Sequence, residues 1–202
     1  MTPTILRDDD PRTPAAVRDA LETGQTLIFP TDTIYGMGGN PWDDAALAKV
    51  RDLKRRSADQ PFTLHVPSVE DVLRYAVVQD RLRPTLATLL PGPYTVILPA
   101  LAGAPACSRS DRGIGLRVPR HPFFSVVMAS LGRPLFGTSV NEHGESPLQE
   151  VNDMIDRFPS VDLIVVGPVG GVASDIIDLT VDPPRAIRGR LPSALWVRPD
   201  AG

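Results

Sequence analysis

Apolar and polar positions along this 202-residue chain follow two different periods. Short apolar runs between Gly, Pro, Asp or Ser predict buried strands, and apolar residues spaced three or four apart predict amphipathic helices. Strands are predicted at 25–30, 62–66, 94–98, 114–118, 134–139, 163–166, 176–179 and 186–188. Helices are predicted from Thr13, from Asp43 or Asp44 to Lys54, from Ser68, over 122–131 and over 148–158. The two kinds of element alternate, which predicts an α/β protein.

Capping residues mark the ends of several predicted helices. Thr13-Pro14 combines an N-cap hydroxyl with a proline at the first helical position, and Gly24 stands where a C-cap belongs. Ser68 followed by Asp71 has the spacing of a capping box. These signals predict where the helices begin and end.

The order of the elements predicts a mixed sheet in a single domain. The strands at 94–98 and 114–118 follow one another with no helix between them, so antiparallel pairs are expected and a doubly wound Rossmann order is not. The predicted loops at 100–111 and 141–147 have neither the length nor the composition of an interdomain linker. No internal repeat or low-complexity tract is present, so one domain over 1–202 is expected.

Composition and charge exclude several classes of protein. A formal net charge of −3 argues against a chain that coats nucleic acid with its whole surface. The only cysteine, Cys107, excludes an internal disulfide and a multi-cysteine zinc site, and the three histidines are too widely spaced for a helical metal pair. No apolar stretch is long enough to span a membrane, and the acidic N-terminus is unlike a signal peptide. We therefore expect a soluble cytoplasmic protein without a membrane partner or a metal site of its own.

The common nucleotide-binding and hydrolase motifs are absent. Gly36-Met-Gly-Gly39 is not a dinucleotide fingerprint, and the chain has neither a Walker A loop nor a nucleophile elbow. Polar residues instead follow apolar strands, where α/β proteins present ligand contacts. They fall in five segments: 29–36, 54–65, 115–119, 138–144 and 173–189.

Each segment also has an ordinary structural interpretation. Asp32 can cap its own turn, and Lys54-Arg-Arg56 can be either a solvated helix end or a polyphosphate clamp. His65, inside an apolar strand, is either a satisfied core histidine or a ligand contact. Arg117 lies among apolar residues and needs an anionic partner, which is either a structural carboxylate or a substrate carboxylate. Ser139 and Asn141 point the same way if their strand continues.

In this order, the five segments resemble the YrdC family, whose members include threonylcarbamoyl-AMP synthases. The resemblance covers about residues 15–190, and the ordered set is specific although each motif alone is weak. The matching motifs are Pro30 to Met37, Lys54-Arg-Arg56, Pro91 to Thr95, Arg117-Val-Pro119, Ser139-Val-Asn141, Ser174 to Asp178 and, more loosely, Arg188-Gly-Arg190.

The resemblance implies a twisted mixed α/β sheet around a large concave cationic cavity. It also implies a nucleotidyltransferase that makes threonylcarbamoyl-AMP and pyrophosphate from L-threonine, bicarbonate and ATP, with Mg²⁺ bound through ATP. The product would serve the threonylcarbamoyl modification of adenosine in tRNA, and RNA or tRNA-modification proteins are possible partners.

The resemblance also assigns roles to individual residues. Thr33, His65, Arg117 and Ser174 correspond to the threonine pocket, with Arg117 facing the carboxylate of threonine. Lys54, Arg56, Gln60, Ser139, Asn141 and Arg188 correspond to the ATP side, and Lys54 and Arg56 are expected to carry catalysis. No covalent nucleophile is needed, because a carboxylated threonine amine attacks the α-phosphorus while pyrophosphate leaves.

Four positions depart from the family pattern and bear on the substrate rather than on the fold. His143 stands where a serine is usual, and Asp175 replaces a threonine beside Ser174. Gly113 stands where synthases tend to carry threonine, and Ser146-Pro147 reverses the usual order. The extra C-terminal domain of longer family members is not expected.

Two other functions fit the same resemblance. A YciO-like paralogue would share the fold but have a different activity, although the Lys-x-Arg and Ser-x-Asn motifs argue against it. A non-catalytic RNA-binding module would use the cationic cavity for RNA, with an affinity that falls steeply with salt and does not depend on threonine.

Overall fold

Eleven strands form one mixed sheet in the computed structural model, which describes residues 2–193. The strands are β1 (Thr4–Arg7), β2 (Leu27–Phe29), β3 (Gly36–Gly39), β4 (Thr63–His65), β5 (Tyr94–Leu98), β6 (Arg109–Ser110), β7 (Gly113–Arg117), β8 (Leu135–Ser139), β9 (Leu163–Val166), β10 (Asp175–Asp178) and β11 (Arg185–Arg188). The helices are α1 (Thr13–Glu22), α2 (Asp44–Lys54), α3 (Arg83–Leu89), α4 (Pro122–Leu131) and α5 (Val151–Arg157). Short 3₁₀ helices lie at Glu70–Arg74, Asp80–Leu82 and Ala106–Ser108.

The strand order is β1-β9-β2-β3-β8-β4-β7-β5-β10-β11, and β6 pairs with β7. Parallel and antiparallel pairs are interleaved, as predicted: β5 and β7 are antiparallel, whereas β4 and β7 are parallel. The parallel register places His65 directly beside Arg117. Two residues that are 52 positions apart in the sequence thus become neighbours on one face of the sheet.

Successive strand residues place their side chains on alternate faces of the sheet, so both faces carry apolar side chains that helices can cover. On one face, α1 and α4 pack against Leu27 and Phe29 of β2. On the other face, α2 and α5 pack against Ile28 of the same strand. A third cluster packs α3 and the first 3₁₀ helix against Leu64 and Leu116. Since Leu64 belongs to this third cluster, its neighbours on β4 face the opposite side, where the cavity described below lies.

Most of the predicted elements are present, and the capping signals were right in part. Asp43 caps α2 by accepting a hydrogen bond from the Ala46 amide at 2.8 Å, and Gly24 has a positive φ of +72° after α1. The predicted N-cap role of Thr13 is wrong, because Arg12 precedes α1 and the Thr13 hydroxyl donates to the Arg7 carbonyl instead. The Ser68 hydroxyl does accept from the Asp71 amide, but the segment forms a 3₁₀ helix.

Strand β3, with the sequence Gly-Met-Gly-Gly, is the main element that the hydrophobic pattern does not predict. It lies inside the sheet between β2 and β8. A Cβ atom on Gly38 would stand only 1.8 Å from the Phe136 carbonyl oxygen, and one on Gly36 would meet the Phe29 ring at 2.7 Å. Glycine is therefore required by close packing, although its usual signal in a sequence is a turn.

None of the helices between residues 2 and 193 has the length and apolar character needed to cross a membrane.

Candidate functional site

A cavity of about 240 Å³ opens on the sheet face opposite Leu64. Its walls come from β3, β4, β5, β7, β8, β10 and β11, so it collects residues from almost the whole length of the chain. Six of the ten residues predicted from the sequence line it: Arg56, His65, Arg117, Ser139, Ser174 and Arg188. Their predicted roles, and the predicted cationic character of the cavity, stay predictions at this point.

Arg117 is buried at the end of β7 and is paired with a carboxylate of the protein. One terminal guanidinium nitrogen donates to Asp32, and the side chains of the two residues are only 6% and 13% exposed. Burial lowers the pKa of Arg117, while the charge and hydrogen bond of Asp32 oppose that shift. The Nε of Arg117 and the second carboxylate oxygen of Asp32 have no partner among the described residues. The structural partner that Arg117 requires is therefore Asp32, and one buried donor of Arg117 has no partner in the described chain.

His65 lines the cavity from β4, next to Arg117. Burial, followed by the positive charge of Arg117, lowers the pKa of His65 to about 3, so the imidazole is neutral at pH 7. Its ring lies edge-on to Phe29, with the centroids 5.7 Å apart, and a Cβ atom on Gly137 would stand 2.8 Å from Nδ1. Nδ1 is buried and has no hydrogen-bond partner in the described chain. His65 can therefore offer a hydrogen bond to a ligand, but not a charge.

Arg56 reaches the cavity from the turn that follows α2. Its guanidinium donates to the Thr138 hydroxyl at 3.2 Å and to the Pro61 carbonyl at 2.6 Å, and lies 5.1 Å from the Phe62 ring centroid. Burial and the nearby charge of Arg51 lower its pKa. The Nε atom is buried without a partner in residues 2–193. Two hydrogen bonds and the Phe62 ring thus fix the Arg56 guanidinium, and its Nε donor has no partner in the described residues.

Arg188 and Ser174 form the opposite wall. Arg188 donates through Nε and Nη2 to the Ser174 carbonyl, at 2.9 and 2.7 Å, and Nη2 also lies 3.1 Å from the Ser174 hydroxyl. That hydroxyl is 3.1 Å from the hydroxyl of Thr95 on β5. Because β11 lies at the end of the sheet, this guanidinium links the edge strand to the cavity.

Lys54 lies behind the cavity wall rather than in it. Only 2% of the residue is exposed, and Nζ donates to the carbonyls of Ser139 and Asn141 and to Asn141 Oδ1. Burial and the charge of Arg56 lower the pKa of Lys54 to about 7. The amide of Asn141 is also fully used, since Oδ1 accepts from the Ser139 hydroxyl and Nδ2 donates to two loop carbonyls. The predicted Lys54 and Asn141 therefore hold Ser139 in place and do not line the cavity.

The two remaining predicted residues, Thr33 and Gln60, also lie outside the lining. Thr33 is buried, and its hydroxyl is 3.0 Å from that of Thr31, which does line the cavity. Gln60 is half-buried, and its Oε1 has no partner among the described residues. Sequence reasoning missed four threonines that line the cavity, Thr31, Thr63, Thr95 and Thr138, and the hydroxyl-bearing Tyr35. Strand alternation next to His65 could have identified Thr63, and Thr31, Thr95 and Thr138 fall within polar segments or motifs that are visible in the sequence.

The structure explains three departures from the family pattern. Gly113 has φ +121°, and a Cβ atom there would lie 2.1 Å from the Leu98 carbonyl oxygen, so this backbone does not accept threonine. Asp175 lies on the opposite side of β10 from Ser174 and Ile176, packed against Gly189, and is not part of the cavity lining. His143 is exposed and also lies outside it. None of these three positions supplies a side chain to the cavity lining, although the charge of Asp175 opposes the burial that lowers the pKa of Arg188 in that lining.

No three His, Cys, Asp or Glu side chains of residues 2–193 come together as a protein metal site would require. Among the described residues that line the cavity, none is a carboxylate. The donors that face the cavity are hydroxyls and guanidinium groups, which suit anionic ligands.

A mixed sheet that carries such a cavity defines a class of α/β proteins, and comparison with known proteins identifies the family. A family model named Sua5/YciO/YrdC, described as telomere recombination, matches residues 19–189, so the chain belongs to this family. It is 30% identical over 162 residues to a threonylcarbamoyl-AMP synthase of Escherichia coli O6:H1, covering 78% of this chain and 85% of the relative. It is 33% identical over 159 residues to a threonylcarbamoyl-AMP synthase of Xanthomonas oryzae, covering 76% and 84%.

Solved structures agree with this assignment of the fold. The crystal structure of E. coli YciO covers 93% of this chain and 95% of its own with a TM-score of 0.80, and its 24% identity supports the fold alone. The structure of P. abyssi Sua5 complexed with L-threonine is 26% identical with a TM-score of 0.81, and covers 93% of this chain and 57% of its own. The predicted family and fold class are therefore confirmed.

Proposed function

We propose that this chain is an L-threonylcarbamoyladenylate synthase, which converts ATP, L-threonine and bicarbonate into threonylcarbamoyl-AMP and pyrophosphate. The observation that carries the proposal is the cavity itself. It brings together three guanidinium groups, those of Arg56, Arg117 and Arg188, from distant parts of the chain. Two of them keep a buried N–H without a partner in the described residues. The identity to relatives named as threonylcarbamoyl-AMP synthases spans about three quarters of the chain.

Threonine is assigned to the part of the cavity around Arg117, His65 and Ser174. A carboxylate can accept a hydrogen bond from Nε of Arg117 while Asp32 holds one terminal nitrogen of the same guanidinium. His65, being neutral, adds a directional hydrogen bond without repelling the substrate ammonium. The Thr31 hydroxyl takes the place that the family resemblance gave to Thr33.

The nucleotide is assigned to the part of the cavity around Arg56, Ser139 and Arg188. Arginine presents a planar set of donors that suits phosphate oxygens, and burial strengthens each such contact. Lys54 contributes indirectly, because it fixes the backbone of Ser139 and Asn141. This replaces its expected role as a direct phosphate contact with a positioning role.

The proposed reaction needs alignment rather than a covalent nucleophile. The amine of threonine adds to the carbon of bicarbonate with loss of water, and an oxygen of the resulting carbamate attacks the α-phosphorus of ATP. The bond between the α-phosphorus and the bridging oxygen breaks, and pyrophosphate leaves. Two guanidinium groups on the nucleotide side stabilise the negative charge of the transition state, an effect that is commonly worth about 10²–10³ in rate per contact.

Mg²⁺ enters this proposal only as part of the substrate. The cavity lining within residues 2–193 offers no carboxylate to hold a metal ion, and Mg²⁺ is usually bound through nucleotide phosphates and water. The ion would neutralise charge on the leaving pyrophosphate. RNA and tRNA-modification proteins are proposed as downstream partners, because the product carries a threonylcarbamoyl group ready for transfer to adenosine in tRNA.

The test is a reconstituted reaction with ATP, Mg²⁺, bicarbonate and L-threonine, measured by pyrophosphate release and by mass spectrometry of the adenylate. We expect threonine-dependent pyrophosphate release, and its loss in Arg56→Met but not in the control Arg133→Met, whose side chain is 38% exposed and lies outside the cavity lining. Release that is equally fast without threonine would reject the synthase. Binding of ATP without turnover would favour a YciO-like paralogue, and salt-sensitive binding of RNA that ignores threonine would favour the RNA-binding module.

A further inference from the structure

The β8–α5 loop, residues 140–150, meets the cavity at two points. Ser139, which precedes the loop, and Pro147 within it both line the cavity. Residues 143–146 are exposed, so the loop has little apolar packing of its own in its middle. Glu142 is different: its carboxylate side chain is only 15% exposed. A carboxylate that is covered to this extent has to be compensated by partners.

Two arginines from different helices provide that compensation. Arg55 Nε lies 3.2 Å from Glu142 Oε2, and Arg157 Nε lies 2.8 Å from Glu142 Oε1. Arg55 directly follows α2, and Arg157 is the last residue of α5. A single carboxylate therefore ties the loop to the C-terminal ends of both helices that cover the face of the sheet opposite the cavity.

The backbone conformation of Arg55 sets the directions of the neighbouring side chains of Lys54 and Arg56. Arg55 is in the left-handed conformation, with φ +50°, and it ends α2. The turn sends Lys54 behind the cavity wall to Asn141 and sends Arg56 into the cavity. The Lys54 carbonyl also accepts a hydrogen bond from the His143 amide at 2.9 Å. The end of α2 and the β8–α5 loop are thus held together by this backbone hydrogen bond and by the Arg55–Glu142 ion pair.

We propose that Glu142 is a positioning residue for the nucleotide side of the cavity, fixing the distance between Arg56 and the wall formed by Ser139 and Pro147. The inference rests on the proposed function, because it takes ATP as the ligand of that side. Without the carboxylate, Arg55 loses its ion-pair partner, and Arg157 keeps only its pair with Glu145. The loop then loses its outer attachment while its inner attachment to Lys54 remains. Threonine, on the other side of the cavity, is not affected.

The matched pair of variants is Glu142→Gln and Glu145→Gln. Both remove one carboxylate from the same loop and leave a side chain of similar size. Glu145 also pairs with Arg157, at 2.8 Å, but it is 51% exposed, and within residues 2–193 the ion pair of Arg55 is with Glu142. We expect ATP affinity, measured by calorimetry without threonine, to fall by roughly threefold to tenfold in Glu142→Gln and by less than about twofold in Glu145→Gln.

Two further measurements separate positioning from a general loss of structure. The KM for threonine should stay within about twofold of wild type in Glu142→Gln, and amide hydrogen exchange should accelerate in residues 140–147 but not in β4 or β7. Equal loss of ATP and threonine affinity, or unchanged ATP affinity with unchanged exchange, overturns the inference. A wild-type protein that binds no ATP would overturn the proposed function and the inference with it. A wild type that binds ATP while Glu142→Gln binds it equally well overturns the inference alone.

Discussion

The Lys54 ammonium donates to both oxygens of Asn141, at 2.6 Å to the carbonyl and 3.1 Å to Oδ1. This contact lies behind the cavity and fixes the segment that carries Ser139. Lys54 and Asn141 are buried, with 2% and 9% of their surfaces exposed. Lys54 therefore acts on a ligand through the residues that it holds.

Lys54→Met should lower both stability and ATP affinity. Three oxygen acceptors would lose their buried donor, which is expected to cost about 2–4 kcal/mol in the free energy of unfolding. The measurements are urea denaturation and calorimetric titration with ATP. Lys49→Met is the matched control, because Lys49 is the other lysine and its side chain is 34% exposed. If Lys54→Met were as stable as wild type yet unable to bind ATP, a direct phosphate contact would replace the positioning role.

A double-variant experiment on Arg117 and Asp32 should distinguish the contribution of Arg117 to stability from its contribution to threonine binding. Arg117→Met leaves the Asp32 carboxylate buried without its partner, which is expected to destabilise the fold by about 3–5 kcal/mol. Adding Asp32→Asn removes that charge and should restore most of the stability. Threonine binding should remain lost in the double variant, because the donor for the substrate carboxylate is gone. Recovery of threonine binding together with stability would show that Arg117 is only structural.

The acid sensitivity of folding should depend on His65. Its pKa is about 3 in the folded chain and about 6.5 when unfolded, so between these values only the unfolded chain binds the proton. Its contribution to stability is therefore complete above pH 6.5 and is lost as the pH falls toward 3. Between pH 6.5 and pH 5, the free energy of unfolding should fall by about 2 kcal/mol less in His65→Gln than in wild type. Equal pH dependence in both proteins would contradict this, and exposed His143→Gln serves as the control.

Gly113→Thr should destabilise the protein rather than bring it nearer to the synthase pattern. The new Cβ would meet the Leu98 carbonyl oxygen at 2.1 Å, and φ is +121°. We expect a cost of about 2–3 kcal/mol, measured by thermal or urea unfolding. Gly103→Thr is the control, since a Cβ at Gly103 meets no atom within 4 Å. A stable Gly113→Thr protein with higher activity would contradict the explanation given for this departure.

Local patterns were sufficient for much of the fold, and for particular reasons. Strand β5 and helix α4 have the boundaries that the sequence predicts, because their apolar runs end at clear Gly or Pro signals. Strand β1 was not predicted, as it is short, largely exposed and lies at the edge of the sheet. Strand β3 was missed because its glycines are required by close packing against Phe29 and Phe136, which are not their neighbours in the sequence.

The sequence by itself determined the family, the mixed α/β sheet and the set of polar segments that supply the cavity, because those features follow from local periodicity and from ordered motifs. Only the tertiary structure decided which of the polar residues reach the cavity. Lys54 and Arg56 are two positions apart, yet the left-handed turn at Arg55 places Lys54 behind the cavity wall and Arg56 in the cavity lining. Asp32 and Arg117 pair across 85 residues because the fold brings the segment between β2 and β3 to the end of β7. Such choices depend on burial and on distant partners, which no local pattern of residues contains.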